Sequence, residues 1–130
     1  MPHLTVEYSA NMDGRVDVGG LCERLCETLR ETGLFELGAI RVRAVRCNDY
    51  AIADRLVENA FVDLNLRVGA GRSAEQKKRV GEALFAAAQD ELAALFASPH
   101  FALSLEIREI DPELSWKRNA MHPRLRAKSG

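Results

Sequence analysis

Three residues far apart along the chain, Pro2, Arg41 and Arg72, have the side-chain types for one piece of acid–base chemistry on an acid. Pro2 stands directly behind Met1, and bacterial methionine removal favours a small second residue, proline included. Removal would leave Pro2 as a free secondary amine. A chain-terminal amine titrates at about 7.7–8.0, far closer to neutrality than a lysine. Beside cations in a pocket, such an amine is neutral at working pH and serves as a general base. Arg72 ends Gly69-Ala70-Gly71-Arg72, a turn that opens a helix. Backbone N–H groups and the helix dipole favour an anion there, and arginine adds a planar, bidentate grip on a carboxylate. The turn is not a nucleotide-binding P-loop, because the Gly-Lys-Ser/Thr element is missing. Arg41 opens a strand just after Gly38-Ala39. Taken singly, Pro2 reads as a translation-start preference and Arg72 as a solvent-exposed turn arginine.

The elements that must position these residues form a duplicated pattern. Leu4, Val6 and Tyr8 alternate with Thr5, Glu7 and Ser9, the period of a half-buried strand. After a polar loop, Asp17 caps a helix that starts near Val18, carries Leu21, Leu25 and Leu29 on one stripe, and ends at Gly33. Ile40, Val42 and Ala44 form one face of a second strand, with Arg41 and Arg43 on the other. The second half repeats the plan. Val62, Leu64, Leu66 and Val68 mark a strand, Ser73 and Gln76 stand in capping-box spacing, and Val80, Leu84, Ala88, Leu92 and Leu95 line the helix that follows. Leu103, Leu105 and Ile107 mark the last strand. Residues 111–130 contain Pro112, Pro123 and a basic end, and read as an extension with a mobile tip.

The order is therefore βαβ followed by βαβ, an α/β (α+β) chain with a four-stranded sheet and two helices on one face. Each half is long enough for a right-handed parallel crossover. Pro2 and Arg41 fall at one end of the sheet. Arg72 joins them only if the two halves run antiparallel, and the periodicity leaves that open. The uncovered face would carry Thr5, Glu7, Arg41, Arg43, Asn65, Arg67, Ser104 and Glu106, which either face water or line a subunit interface.

Composition narrows the function classes. The 130 residues suit a single domain, 1–130, with 47% hydrophobic and 28% charged residues, as in an ordinary globular protein. A net charge of −1 gives no global field for nucleic acid, and the basic end reads as a solvated tail. No apolar run approaches the roughly 20 residues that span a bilayer, and no signal-peptide pattern precedes the first strand. The expected location is cytoplasmic, with no membrane partner. The odd count of cysteines, Cys22, Cys26 and Cys47, argues against a disulfide framework and for buried, reduced thiols. His3, His100 and His122 are scattered and form no metal-ligand motif.

Four segments carry a resemblance: Pro2-His3-Leu4-Thr5-Val6-Glu7, Gly38-Ala39-Ile40-Arg41-Val42-Arg43, Val68-Gly69-Ala70-Gly71-Arg72-Ser73 and Leu114-Ser115-Trp116-Lys117-Arg118-Asn119. They resemble 5-carboxymethyl-2-hydroxymuconate isomerases across about residues 2–122. Gly71-Arg72-Ser73-Ala74-Glu75-Gln76-Lys77 also resembles the helix start of oxalocrotonate tautomerase, so the chain is similar to the tautomerase superfamily. The family carries phenylalanine near Trp116, a departure that changes the size of the pocket wall. The resemblance implies a homotrimer of βαββαβ subunits with antiparallel halves, helices outside and sheets inside. It implies no cofactor and no metal, and a place in aromatic catabolism. By the matching positions Pro2 would carry the proton, and Arg41 and Arg72 would bind the carboxylates of a small anionic substrate. Two alternatives stay open at this point: a non-catalytic ferredoxin-like ligand-binding module, since fold alone never fixes function, and a decarboxylase or dehalogenase of the same superfamily.

Overall fold

The computed structural model describes residues 1–129, with side chains through Lys128. The strands are β1 (His3–Ser9), β2 (Arg41–Cys47), β3 (Ala60–Gly69) and β4 (Phe101–Ile110). The α-helices are α1 (Val18–Glu31), α2 (Ala74–Glu91) and α3 (Met121–Ser129). The sheet order is β2-β1-β3-β4. β1 runs parallel to β2, β3 runs parallel to β4, and β1 runs antiparallel to β3. The two βαβ halves are thus related as an antiparallel pair, and that relation decides where the second half's turn lies.

Local chemistry sets the element ends. The Asp17 carboxylate accepts from the Gly20 N–H at 2.9 Å and starts α1. Gly33 closes it with φ +71°, a conformation that costs other residues the Cβ–carbonyl clash. Ser73 and Gln76 exchange two hydrogen bonds, Gln76 N–H to Ser73 Oγ at 3.1 Å and Ser73 N–H to Gln76 Oε1 at 2.9 Å, which completes the capping box of α2. Leu92 lies just past the end of α2 and Leu95 in a short 3₁₀ helix beyond it, yet both are buried as their spacing requires.

The core lies between the two long helices and one face of the sheet. Leu4 and Val6 of β1, Leu64 and Leu66 of β3, Leu25 of α1 and Leu84 of α2 are at most 1% exposed. Register places Val6 opposite Leu64 and Leu4 opposite Leu66, so the apolar face of one strand continues into the next. Among the described residues no helix covers the opposite face. Its rows read Arg41–His3–Arg67–Arg108 nearest the start of β1, then Arg43–Thr5–Asn65–Glu106, then Val45–Glu7–Asp63–Ser104. Cations gather at the end where the chain begins, and acids lie further along.

Two expectations change. The C-terminal extension is not a mobile tip: within the described residues it forms a third helix that docks on the first half, and Gly130 alone lies outside them. Its anchor is specific. Asn119 Nδ2 donates to the Gly38 carbonyl at 2.7 Å, and the Arg126 guanidinium donates to Glu36 at 2.6 and 2.8 Å. His122 Nδ1 lies 2.8 Å from the same carboxylate, in ion-pair range though out of line for a hydrogen bond. A Cβ on Gly38 would stand 2.9 Å from His122 Nδ1, so glycine there lets the helix approach. Periodicity missed α3 because it is short and polar, and its docking is mostly by charge. The cysteines also differ: all three are free but half-buried, with the Cys22 thiol pushed up first by burial and then by Cys26.

Candidate active site

The parallel pairing of β1 with β2 sets His3 opposite Arg41, and the Arg41 N–H donates to the Pro2 carbonyl at 3.1 Å. The antiparallel pairing of β1 with β3 returns the end of β3 to the same place. Gly69-Ala70-Gly71-Arg72 therefore closes over the head of β1, which answers the question the periodicity left open. Gly71 takes φ +109°, reserved in practice for glycine, and turns the chain sharply into α2.

Here lies a cavity of about 660 Å³, lined by Met1, His3, Arg41, Gly69, Ala70, Gly71, Ile110, Pro112, Ser115, Trp116, Lys117 and Arg118. Its charged lining is cationic throughout, and among the described residues no carboxylate borders it. That combination attracts an anion and leaves it without a competing acid.

Arg72 is pinned. Nη2 donates to the Leu34 carbonyl at 3.0 Å, Nη1 donates to the Gly69 carbonyl at 3.3 Å, and the guanidinium carbon lies 4.4 Å above the centre of the Phe35 ring. It stands behind Gly69 rather than on the cavity wall. A Cβ on Gly69 would meet the Met1 nitrogen at 3.4 Å and Arg72 Nη1 at 3.8 Å, so the chain-start amine and the guanidinium are neighbours across that glycine. Arg41 is held more loosely, with Nη1 at 3.5 Å from both Met1 Sδ and the Ala39 carbonyl. Pro2 itself is buried, in an amide with Met1, and does not border the cavity. The Met1 side chain fills the space in front of Arg41, on the surface where an anion would meet that arginine.

The electrostatics follow from this crowding. The Met1 amine is held below the usual chain-terminal value, first by burial and then by the charges of Arg72, Lys117 and Arg41. Each of these causes disfavours the protonated form. The His3 imidazole is lowered too, by burial and by Arg67, Arg41 and Arg43, and its buried Nδ1 has no hydrogen-bond partner among the described residues. His3 is thus neutral. Among the described residues no group of three or more His, Cys, Asp or Glu side chains is placed to hold a metal ion, and no helix is long and apolar enough to cross a membrane.

Of the residues singled out from the sequence, the fold brings Arg41 and Arg72 to the chain start and keeps Pro2 one residue inside it. Sequence reasoning gave no role to Phe35 or Lys117, and only the resemblance set Trp116 at the pocket wall. The last two come from the segment after β4. Because β4 is parallel to β3, it also ends at this end of the sheet, so a residue leaving Ile110 must pass the cavity. Antiparallel halves, once assumed, would have exposed that. Phe35 carried no signal at all, being one aromatic in a loop.

Comparison with known proteins agrees with this architecture. A family model described as 5-carboxymethyl-2-hydroxymuconate isomerase matches residues 2–125. A 5-carboxymethyl-2-hydroxymuconate Delta-isomerase of Escherichia coli is 40% identical over 122 residues, covering 94% of this chain and 97% of that protein. The crystal structure of a 5-carboxymethyl-2-hydroxymuconate isomerase from Deinococcus radiodurans R1 superposes with a TM-score of 0.90 at 43% identity, over 95% of this chain and 93% of that one. A structure named as a fused 4-OT wild type symmetric trimer gives a TM-score of 0.67 at 20% identity, over 89% and 93% of the two chains, a likeness of fold alone.

Proposed function

The chain belongs to the 5-carboxymethyl-2-hydroxymuconate isomerase family and is an isomerase of the tautomerase superfamily; from that premise we propose that it moves one proton within an unsaturated 2-hydroxy acid bearing several carboxylates, with Pro2 as the base once Met1 is removed. One observation carries the reading: the Met1 amine at the head of β1 is kept low in basicity by burial and three cations, at the edge of a cavity that no acid among the described residues borders. With Met1 gone, that end would present the Pro2 nitrogen to the same cations, and the space the Met1 side chain fills before Arg41 would open to the substrate.

The step balances without any further reagent. Neutral Pro2 takes the hydroxyl proton as the dienol becomes a dienolate, and returns it to a distal carbon, leaving a 2-oxo acid. Arg41, on the cavity wall, holds one carboxylate; Arg72, behind Gly69, reaches a second across that glycine once Met1 is gone, and both stabilise the charge that builds on the dienolate oxygen. The same guanidiniums oppose protonation of Pro2, so one set of charges both binds substrate and readies the base. A lysine base would begin about 2.5 units higher and need far more perturbation. The alternative of a non-catalytic module leaves the unneutralised cations around a low-basicity amine without a purpose.

The assembly we propose is a homotrimer, with the uncovered sheet face turned inward. Support comes from the charged rows on that face, of both signs and able to pair across an interface, and from the fold shared with a protein named as a symmetric trimer. Three free cysteines fit a reducing compartment, the cytoplasm.

The test is an ultraviolet assay of dienol acids with two preparations separated by mass: one lacking Met1 and one retaining it. The processed protein should turn over substrate and the Met1-bearing protein should not, because Pro2 is then an amide with no basic lone pair. Equal turnover by both would remove Pro2 from the mechanism.

A further inference from the structure

His3 follows Pro2 directly and borders the same cavity. Alternation along β1 turns its side chain to the uncovered face, away from the core residues Leu4 and Val6. Register sets it between Arg41 of β2 and Arg67 of β3, with Arg108 of β4 ending the row. Its Nδ1 is buried and has no hydrogen-bond partner among the described residues. With Nδ1 sealed off, Nε2 is the ring nitrogen that can meet a ligand in the cavity. Chemistry places the hydrogen. An Nδ1–H would be a buried donor without an acceptor, which costs free energy. The charged groups that act on the ring are Arg67, Arg41, Arg43 and the chain-start amine. Guanidiniums only donate, so an Nδ1 lone pair suits them. The strap between β4 and α3 adds Lys117 and Arg118 to the cavity. The acids of the uncovered face, Glu106, Glu7 and Asp63, stand in rows further along the sheet. These surroundings disfavour an imidazolium, and burial acts in the same direction. The neutral ring therefore carries its hydrogen on Nε2.

We propose that His3 is a catalytic residue whose Nε2–H donates to the substrate oxygen on which charge builds as the dienol becomes a dienolate. This rests on the isomerase reading above and deepens it by adding a donor for that oxygen, since Arg41 and Arg72 are engaged with carboxylates. The reaction needs a donor that does not give up its proton. An imidazolium would be acid enough to reprotonate the oxygen and return the dienol. A neutral imidazole stabilises the oxyanion by a hydrogen bond and keeps its own hydrogen, so the proton held by Pro2 goes to carbon. Base and donor are successive residues at the head of β1, so one strand fixes both.

The experiment measures kcat and KM for 5-carboxymethyl-2-hydroxymuconate with Met1-free protein across the acid limb of its pH profile. His3→Phe keeps a flat ring without the donor. It should lower kcat about 10- to 150-fold, as for one hydrogen bond to a charged group, with KM changed less than about threefold, because the oxygen is charged only beyond the ground state. His3→Gln places an N–H near the Nε2 position and should recover most of that loss. The acid limb should keep its place in both variants, since a neutral ring adds no charge beside the base. Nitrogen–proton correlation NMR of the Met1-free wild type at a pH of about 7.5 reads the tautomer directly and should show a neutral ring with its hydrogen on Nε2. An imidazolium or an Nδ1–H ring, undiminished kcat in His3→Phe, a loss confined to KM, a shifted acid limb, or His3→Gln as slow as His3→Phe would overturn the assignment to His3 while leaving the isomerase reading standing. Failure of wild type to isomerise the acid would instead overturn that reading itself.

Discussion

Replacing Arg72 by alanine separates a catalytic cation from a structural one. In the fold its guanidinium donates to Leu34 and Gly69 carbonyls at 3.0 and 3.3 Å and stacks on Phe35 at 4.4 Å. Losing the stack costs about 0.5–2 kcal/mol, and the two part-buried carbonyls recover much of their bonding from water, so stability should fall by about 1–3 kcal/mol. A domain of this size typically holds about 5–15 kcal/mol, and the variant stays folded. Catalysis should suffer more specifically. One charge-assisted hydrogen bond to a carboxylate is worth about 1.5–3 kcal/mol, or roughly 10- to 150-fold in kcat/KM.

The pH profile gives the sharper signature. Arg72 is the strongest of the charges acting on the Met1 amine, where it opposes protonation, and with Met1 removed it would act on the Pro2 nitrogen in the same sense. Removing it must raise the amine's pKa, so the acid limb of kcat/KM must move to higher pH, because the base works only when neutral. Arg72→Lys keeps the charge and should hold the limb near its original place, while losing part of the bidentate grip. The assay is dienol disappearance followed in the ultraviolet from pH 5 to 9, with circular dichroism as the folding control. An Arg72→Ala profile whose acid limb stays fixed or moves down, at undiminished kcat/KM, would refute the role given to Arg72.

Other outcomes follow from the same structure. Ser73→Ala removes half of the capping box of α2 and should lower Tm by about 3–6 °C, read by a thermal melt; an unchanged melt would mean the helix start is held by the Gly71 turn alone. Glu36 is held below the ordinary carboxylate range, first by its hydrogen bond with Arg126. Its contribution to docking α3 is present above the ordinary carboxylate pKa and is lost as pH falls through the lowered value. Hydrogen exchange in α3 should therefore speed up on acidification in wild type, and should be faster at neutral pH and insensitive to that acid step in Glu36→Gln.

Much of this molecule was legible in its residues. Leu4 and Val6, Leu21, Leu25 and Leu29, and the Ser73–Gln76 box announce their elements through side-chain period and capping chemistry, both local properties. Arg41 at the head of a strand parallel to β1 followed from crossover length alone. The family resemblance carried the fold and the isomerase activity further, and the comparisons bear both out.

Three things needed the tertiary structure. Period tells which residues share a face but not which way a strand runs, so only the antiparallel hydrogen bonds of β1 and β3 could bring Arg72 beside the chain start. The strap and α3 are held by Asn119, His122 and Arg126 against a glycine and a glutamate some eighty to ninety residues earlier. Such long-range polar contacts leave no repeat in the sequence. Basicity at the head of β1 is likewise a property of space, because desolvation and summed charge act between groups that only folding makes neighbours.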